Sequence, residues 1–375
     1  TDMPFRYEQN VESEDGNNVY LTIDETIQSI CEKYMQKGVE DNNVLNKGVC
    51  IAMDVNTGAI LAMVTTDGYD LNNPYELSAK DKKKIKSTPK KKQAEAESAA
   101  LSNMWRNKAV ADTYMPGSVF KMCVASAALE ENLVNEKTSF TCTGSISVEG
   151  ETIHCSNISG HGTQNFVEVI SNSCNPAFIQ IGQMLGAGKF RQYYQGFGFS
   201  DKTGIDLPGE AEDNFWKEGK MGGVDLAVAS FGQNFTITPI QMITACAAVS
   251  NGGYVVQPHV VSKITDSKGN VIKTVDKKIK RQVISDDTSK KMNEYLEYNT
   301  ERQGAAAGYI SGYKVAGKSG TTEKRGVTKF ESSFSEDYIS SFCGYAPADD
   351  PQIAMLVFFD LSLIHISEPT RRSYI

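Results

Sequence analysis

The chain is predicted to adopt a mixed fold of the α+β/α/β type, with a sheet lobe built from both ends of the sequence and a helical lobe inserted between them. Three observations carry this expectation. Near the start, apolar β-branched runs at residues 49–53 and 60–64 flank Asp54-Val-Asn-Thr-Gly58, a hairpin signal. Near the end, residues 338–345 and 352–359 flank Ala346-Pro-Ala-Asp-Asp-Pro351, a second hairpin, and residues 313–321 can supply a strand beside them. Between the two, residues 118–133, 166–171, 175–185 and 239–249 repeat apolar side chains at helical spacing, interrupted by turns such as Gly196-Phe-Gly198 and Gly252-Gly253.

Taken in order, residues 1–18 are polar and Gly/Asn-rich and read as a linker from a missing N-terminal region. The first residues lack the basic-then-apolar order of a signal peptide and carry no initiating Met, so the start reads as a cut with an anchor expected upstream. Folding is expected from Val19, and Ile23, Ile27 and Ile30 give residues 22–35 a helical period. Residues 80–92 hold eight lysines, a run that reads as a solvated face and is assigned no chemistry. Asn165 and Glu168 have the capping-box spacing and mark the start of the helix before Ser173. One domain is expected over residues 19–360, and residues 361–375 break the pattern and read as a non-native tail.

Composition narrows the function. A net charge of −8 disfavours nucleic acid, whose phosphates need a basic surface. The longest clean apolar run, residues 353–359, has the length of a buried strand and falls well short of the roughly 18–20 residues that span a bilayer. Eight cysteines without C-x-x-C spacing argue against a zinc ribbon or a thioredoxin-type site. Cys31, Cys50, Cys123, Cys246 and Cys343 sit in apolar contexts as small hydrophobes. Cys142 and Cys155 are separated by a polar, Gly-containing loop that a disulfide could close outside the cytoplasm. Two free thiols are the next expectation, and a metal site with His154 and His161 ranks below both, so no metal ligand is assigned.

The chemistry centres on Met115-Pro-Gly-Ser118-Val-Phe-Lys121, which opens an apolar helix. Residues three apart share a helical face, so the Ser118 hydroxyl and the Lys121 amine can meet. A serine hydroxyl is a weak nucleophile until a neighbour takes its proton, and a lysine can do so when burial and nearby cations bring its pKa into the working range. Free backbone N–H groups at the helix start can stabilise the oxyanion formed when Ser118 attacks a carbonyl. Alone, S-x-x-K arises by chance in many chains. Here it is followed by Ser173-Cys174-Asn175 in a break between helices and by Lys318-Ser319-Gly320-Thr321 on an expected strand.

The order S-x-x-K, S-x-N, K-[ST]-G is the signature shared by penicillin-binding proteins and serine β-lactamases. Over about residues 15–360 the chain resembles a class B penicillin-binding protein, a peptidoglycan D,D-transpeptidase. Leu21-Thr-Ile-Asp24, Ala111-Asp-Thr-Tyr-Met-Pro-Gly117, Thr203-Gly-Ile-Asp-Leu-Pro-Gly-Glu210, Phe231-Gly-Gln233 and Thr238-Pro-Ile-Gln241 look like the same family. The resemblance implies the penicillin-binding transpeptidase fold, which is serine β-lactamase-like: a five-stranded antiparallel sheet flanked by helices, plus an all-helical lobe.

It also implies roles for individual residues. Ser118 would be acylated by the penultimate D-Ala carbonyl of a stem peptide, releasing the terminal D-Ala, with Lys121 taking its proton. Ser173 would relay a proton to the leaving amine, Asn175 would hold the substrate amide and Lys121, and Lys318 would supply positive potential beside Ser173. Ser319, where some relatives carry threonine, and Thr321 suit the substrate carboxylate, with Gly320 and Thr322 in the same recognition segment. The backbone N–H groups of Ser118 and Thr321 would form the oxyanion hole. The amine of a second stem peptide would accept the acyl group, β-lactams would acylate Ser118 as substrate mimics, and no cofactor is implied. A glycosyltransferase and other cell-wall machinery are implied partners, and the family's membrane helix and pedestal imply an anchored parent facing outward from the cytoplasmic membrane, serving peptidoglycan biosynthesis and cell shape.

Three rivals remain. A serine β-lactamase shares the apparatus, and Glu210 with Asn214 mimics a pair that positions deacylating water; however, Glu210 follows the Leu-Pro-Gly of the transpeptidase-like stretch. A non-catalytic penicillin sensor would share acylation alone. Finally, Gly312-Tyr-Lys-Val-Ala-Gly317-Lys318-Ser319 fits the P-loop pattern, but its first half reads as extended chain and no helical period follows.

Overall fold

The computed structural model describes residues 15–42, 44–66, 68–211, 215–302, 308–323 and 338–362. In chain order, β1 (Asn18–Leu21) leads into α1 (Glu25–Asp41), whose N-cap Asp24 accepts from the Ile27 N–H. A hairpin of β2 (Val44–Asp54) and β3 (Ile60–Thr65) follows. An arm of α2 (Ala79–Ser87), α3 (Gln93–Trp105) and α4 (Lys108–Ala111) brings the chain to a 3-10 turn, Gly117–Phe120, which runs directly into α5 (Lys121–Glu130). Next, β4 (Ser139–Cys142) pairs with β7 (Gly162–Asn165) and encloses a hairpin of β5 (Ser145–Val148) and β6 (Glu151–His154). Helices α6 (Phe166–Ser171), α7 (Asn175–Gly196), α8 (Gly223–Ala229) and α9 (Pro239–Ser250) complete the helical lobe. After β8 (Tyr254–Val256), β9 (Val261–Thr265), β10 (Val271–Thr274), β11 (Ile279–Gln282) and α10 (Asp286–Arg302), the chain closes with β12 (Ala316–Glu323), β13 (Tyr338–Ala346) and β14 (Ile353–Ser362).

The main sheet is antiparallel throughout, in the order β12-β13-β14-β2-β3, so strands from the two chain ends meet at β14 and β2. Side chains on a strand alternate between faces. Val49, Ile51, Met53, Leu356 and Phe358 therefore enter the main core with α5 and α9, while Cys50, Ala52, Ala62 and Val64 meet Cys31 and Met35 of α1 on the other side. With both faces covered, these strands read as continuous apolar runs.

The helix starts follow from their caps. Asn165 accepts from the Glu168 N–H at 2.9 Å while Glu168 accepts from the Asn165 N–H at 2.7 Å, so α6 begins where its capping box places it. The same reciprocal pair, Thr238 with Gln241, opens α9. Two expectations are corrected. Helix α7 does not stop at Leu185; it is interrupted at Gly186 (φ 70°, ψ 159°) and resumes to Gly196. Strand β12 begins at Ala316, and Tyr313 stands outside it, 70% exposed. No helix among the described residues is long and apolar enough to cross a membrane.

Candidate active site

Ser118 lies on the 3-10 turn between two close backbone approaches. Gly117 has φ 59°, and a Cβ there would lie 2.0 Å from Thr322 Oγ1; its N–H donates to the Gly232 carbonyl at 2.8 Å. Gly232, the middle of Phe231-Gly-Gln233, has no room either, since a Cβ would fall 2.0 Å from the Gly117 oxygen. On the strand side, a Cβ at Gly320 would sit 3.1 Å from the Val119 nitrogen. Only glycine lets three backbones converge so closely, and the convergence presses the serine turn against β12. Phe120 anchors the turn from below, with ring centroids 4.9 Å from Phe235 and 5.3 Å from Phe199. Residues i and i+3 eclipse in a 3-10 turn, which sets Ser118 and Lys121 on one face.

Lys121 is fully buried, and burying a cation is tolerated only when acceptors replace water. Its Nζ donates to the Ser173 carbonyl at 2.7 Å, to Ser173 Oγ at 3.1 Å and to Asn175 Oδ1 at 2.7 Å. These match the three protons of an ammonium, so the amine becomes a base only after giving one up. Phe178 packs its ring 5.2 Å from the same nitrogen. Ser173 has φ 50°, a left-handed conformation that costs a non-glycine residue about 1–3 kcal/mol and persists only where the surroundings enforce it. Asn175 opens α7, and its Nδ2 donates to the His154 carbonyl at 3.4 Å, tying the pair to β6.

Strand β12 forms the opposite wall as the sheet edge. Lys318 is 1% exposed and donates to the Ser319 carbonyl at 3.1 Å. The pleat separates the rest: Ser319 is half-buried and Thr321 exposed on one side, whereas Thr322 is buried against Gly117 on the other. Lys121, Ser173 and Asn175 are thus joined directly, and Gly320 and Thr322 abut the turn that carries Ser118.

Sequence reasoning missed what lies behind Ser173-Cys174-Asn175. The expected Cys142–Cys155 disulfide is absent: both are free cysteines, and with Cys174 and His161 they form one cluster whose ligand atoms all lie within 4.8 Å of one another. The sequence groups Cys142, Cys155 and His161, with His154, as a low-ranked metal set; Cys174, inside the Ser173-Cys174-Asn175 motif, takes the place of His154 in the cluster. The Cys174 thiol donating to Cys155 pushes the Cys155 thiol well down, and the same donation together with burial pushes Cys174 up.

The rivals fare differently. Lys318 and Ser319 lie mid-strand in an antiparallel edge strand that continues to Glu323, whereas a P-loop lysine opens a helix. Glu210 is spent clamping a loop, accepting from the Thr203 N–H at 2.6 Å, the Thr203 hydroxyl at 2.5 Å and the Gly204 N–H at 3.1 Å; Asn214 lies outside the described residues. Trp105 packs edge-on against Tyr75, 5.4 Å between centroids, and donates to the Pro74 carbonyl.

Comparison with known proteins bears on the family and the fold. Residues 48–369 match the penicillin binding protein transpeptidase domain. Stage V sporulation protein D of Bacillus subtilis is 34% identical over 96% of this chain and 52% of its own length. The peptidoglycan D,D-transpeptidase MrdA of Acinetobacter baumannii is 28% identical over 92% of this chain and 51% of its own. The chain therefore spans about half the length of these curated relatives. Among solved structures, penicillin binding protein 3 from Mycobacterium tuberculosis complexed with aztreonam superposes with a TM-score of 0.79 at 23% identity, covering 95% of this chain and 76% of that one. The D,D-transpeptidase domain of a peptidoglycan glycosyltransferase from Eggerthella lenta gives 0.77 at 24% identity, over 94% and 80%.

Proposed function

This chain belongs to the penicillin-binding-protein transpeptidase family, and from that premise we propose that it is the catalytic part of a peptidoglycan D,D-transpeptidase working through a Ser118 acyl-enzyme. The observation that carries the proposal is the bonding of Lys121 to Ser173 and Asn175 one helical turn beyond Ser118. Lys121, in its neutral form, takes the Ser118 proton as the oxygen attacks the penultimate D-Ala carbonyl of a donor stem peptide. The oxyanion is met by the backbone N–H groups of Ser118 and Thr321. Ser173 passes the proton to the departing D-Ala amine. An acceptor amine from a second stem peptide then attacks the ester, forms the cross-link and frees the serine.

Asn175 keeps the lysine and substrate amide in register, Lys318 supplies positive potential beside Ser173, and Ser319 and Thr321 receive the substrate carboxylate. β-Lactams acylate Ser118 in place of the donor. The name of the peptidoglycan D,D-transpeptidase relative supports a place in cell-wall assembly; the outer face of the membrane as its location and a glycosyltransferase as a partner are what the family resemblance implies. That assignment, like the parent's membrane anchor, belongs to the proposal.

The test is labelling with a fluorescent penicillin, followed by mapping of the adduct. Wild type should label on the peptide carrying Ser118, and Ser118→Ala and Lys121→Ala should each abolish labelling. An adduct on any other residue would sink the assignment. Release of D-Ala from a stem-peptide or thioester donor distinguishes the transpeptidase from a non-catalytic sensor, and fast repeated hydrolysis of a chromogenic cephalosporin would reassign the chain as a β-lactamase.

A further inference from the structure

We propose that Cys142, Cys155, His161 and Cys174 form a tetrahedral site for a thiophilic divalent cation, zinc fitting best, which braces the Ser173–Asn175 corner of the active site from behind. The four ligand atoms already lie within 4.8 Å of one another, with Cys155 Sγ 3.6 Å from His161 Nδ1. Tetrahedral zinc, with Zn–S near 2.3 Å and Zn–N near 2.0 Å, would hold its ligand atoms roughly 3.5–3.8 Å apart. Closing the cluster therefore takes side-chain movements of about an ångström or less. Three sulfurs and one imidazole select zinc over the oxygen-seeking cations.

The protein presents this set from four separate points. Cys142 ends β4, Cys155 follows β6, His161 precedes β7 and Cys174 is the N-cap of α7. The intervening loop is drawn tight: a Cβ on Gly144 would lie 2.1 Å from the Ile158 oxygen, and one on Gly160 2.4 Å from the Cys142 oxygen. All three cysteines are buried and His161 is partly exposed, which leaves a route for an ion. A single disulfide could use only two of the three thiols and would leave the third packed against the imidazole. Burial alone does not make such a set: Cys123, Cys246 and Cys343 are buried too, and the described metal-competent groups include none of them.

The link to the active site is covalent. Cys174 separates Ser173 from Asn175, and Cys155 adjoins His154, whose carbonyl accepts from Asn175. A fixed sulfur at each of these places would hold Ser173 in its left-handed conformation and Asn175 against Lys121. The four ligands are positioning residues, with no contact to the reacting atoms required.

The chain should be purified with a non-thiol reductant and without chelator, and its metal content measured before any exposure to penicillin, so that the result stands apart from the acyl-enzyme assignment. About one zinc per chain is expected, and cobalt exchanged into the site should give sulfur-to-metal charge-transfer and tetrahedral d–d bands. Cys174→Ser should lose the metal. His161→Ala, at a partly exposed position, should weaken retention and shift the d–d bands while keeping the charge-transfer band, and Cys123→Ser should change neither. Stripping the metal should slow penicillin acylation about 10–100-fold, reversibly on adding zinc. Metal-free protein whose three thiols titrate freely, or a disulfide within the cluster under these conditions, overturns the site. Stoichiometric zinc whose removal leaves acylation unchanged overturns the bracing role.

Discussion

Helices α5 and α2 are of nearly equal length, 10 and 9 residues, and opposite in every other respect. Nine residues of α5 are buried, Lys121 among them, whereas α2 buries none and carries its lysines into solvent. The difference shows how to weigh a lysine. In α5 one ammonium sits where desolvation costs several kcal/mol, and the chain meets that cost with three acceptors drawn from a separate helix boundary. On α2 nothing is buried and nothing is built around the charges; the pair Lys82–Glu76 at 3.1 Å is a solvent-screened contact.

This contrast can be broken or sharpened by substitution. The largest effect belongs to Lys121→Ala, which should slow penicillin acylation by about 10³-fold or more, measured by stopped-flow labelling. Phe120→Ala removes the ring under the serine turn and should cost about 3–5 kcal/mol in denaturant unfolding. Lys318→Ala should lower the acylation rate roughly 10–100-fold without abolishing it, since it supplies field and no proton acceptor.

A smaller effect is expected of Glu130, the last residue of α5, which accepts from the Ser285 N–H at 2.9 Å and its hydroxyl at 2.8 Å at the entry to α10. Burial works to raise its carboxyl, but donation from Thr288 and Ser285 outweighs that and leaves it below the ordinary value of 4.5. A depressed folded-state pKa gives stability that is present above the ordinary carboxylate range and lost as pH falls through the lower folded value. Glu130→Gln should therefore cost about 0.5–1 kcal/mol at neutral pH, and the gap from wild type should close as pH falls below that range in pH-dependent unfolding. Smallest of all, replacing Lys83, Lys84 and Lys86 together by Ala should change stability by about 0.5 kcal/mol or less and leave acylation unchanged.

What was legible in the sequence follows the same division. Strands β2, β3 and β14 were visible because burial on both faces leaves unbroken apolar runs, β13 and β12 through the turn at residues 346–351 and their place beside it, α6 because Asn165–Glu168 is a local device, and α9 from its apolar helical period. The motifs S-x-x-K, S-x-N and K-S-G were legible because they occur together and in that order. Strands β4 to β7 were missed because they are short and largely polar; Glu151–His154 has no buried position to set a period. The end of α7 was misplaced because the break at Gly186 looks like a terminus until the chain resumes beyond it. Three members of the cysteine–histidine cluster, Cys142, Cys155 and His161, were legible as a low-ranked metal set together with His154; Cys174 was out of reach because only the tertiary fold brings the start of α7 beside them.

The pairing of β14 with β2 has a temporal consequence. Leu356 faces Ile51 and Phe358 faces Val49, so the first hairpin acquires its partner only after all of the helical lobe between them has been made. The wall carrying Lys318 hangs from that late strand through β13, while Lys121, Ser173 and Asn175 belong to the earlier helical segment. Contacts so distant along the chain are slow to form. A chain interrupted before β14 thus carries Lys121, Ser173 and Asn175 without the strand that anchors the facing wall.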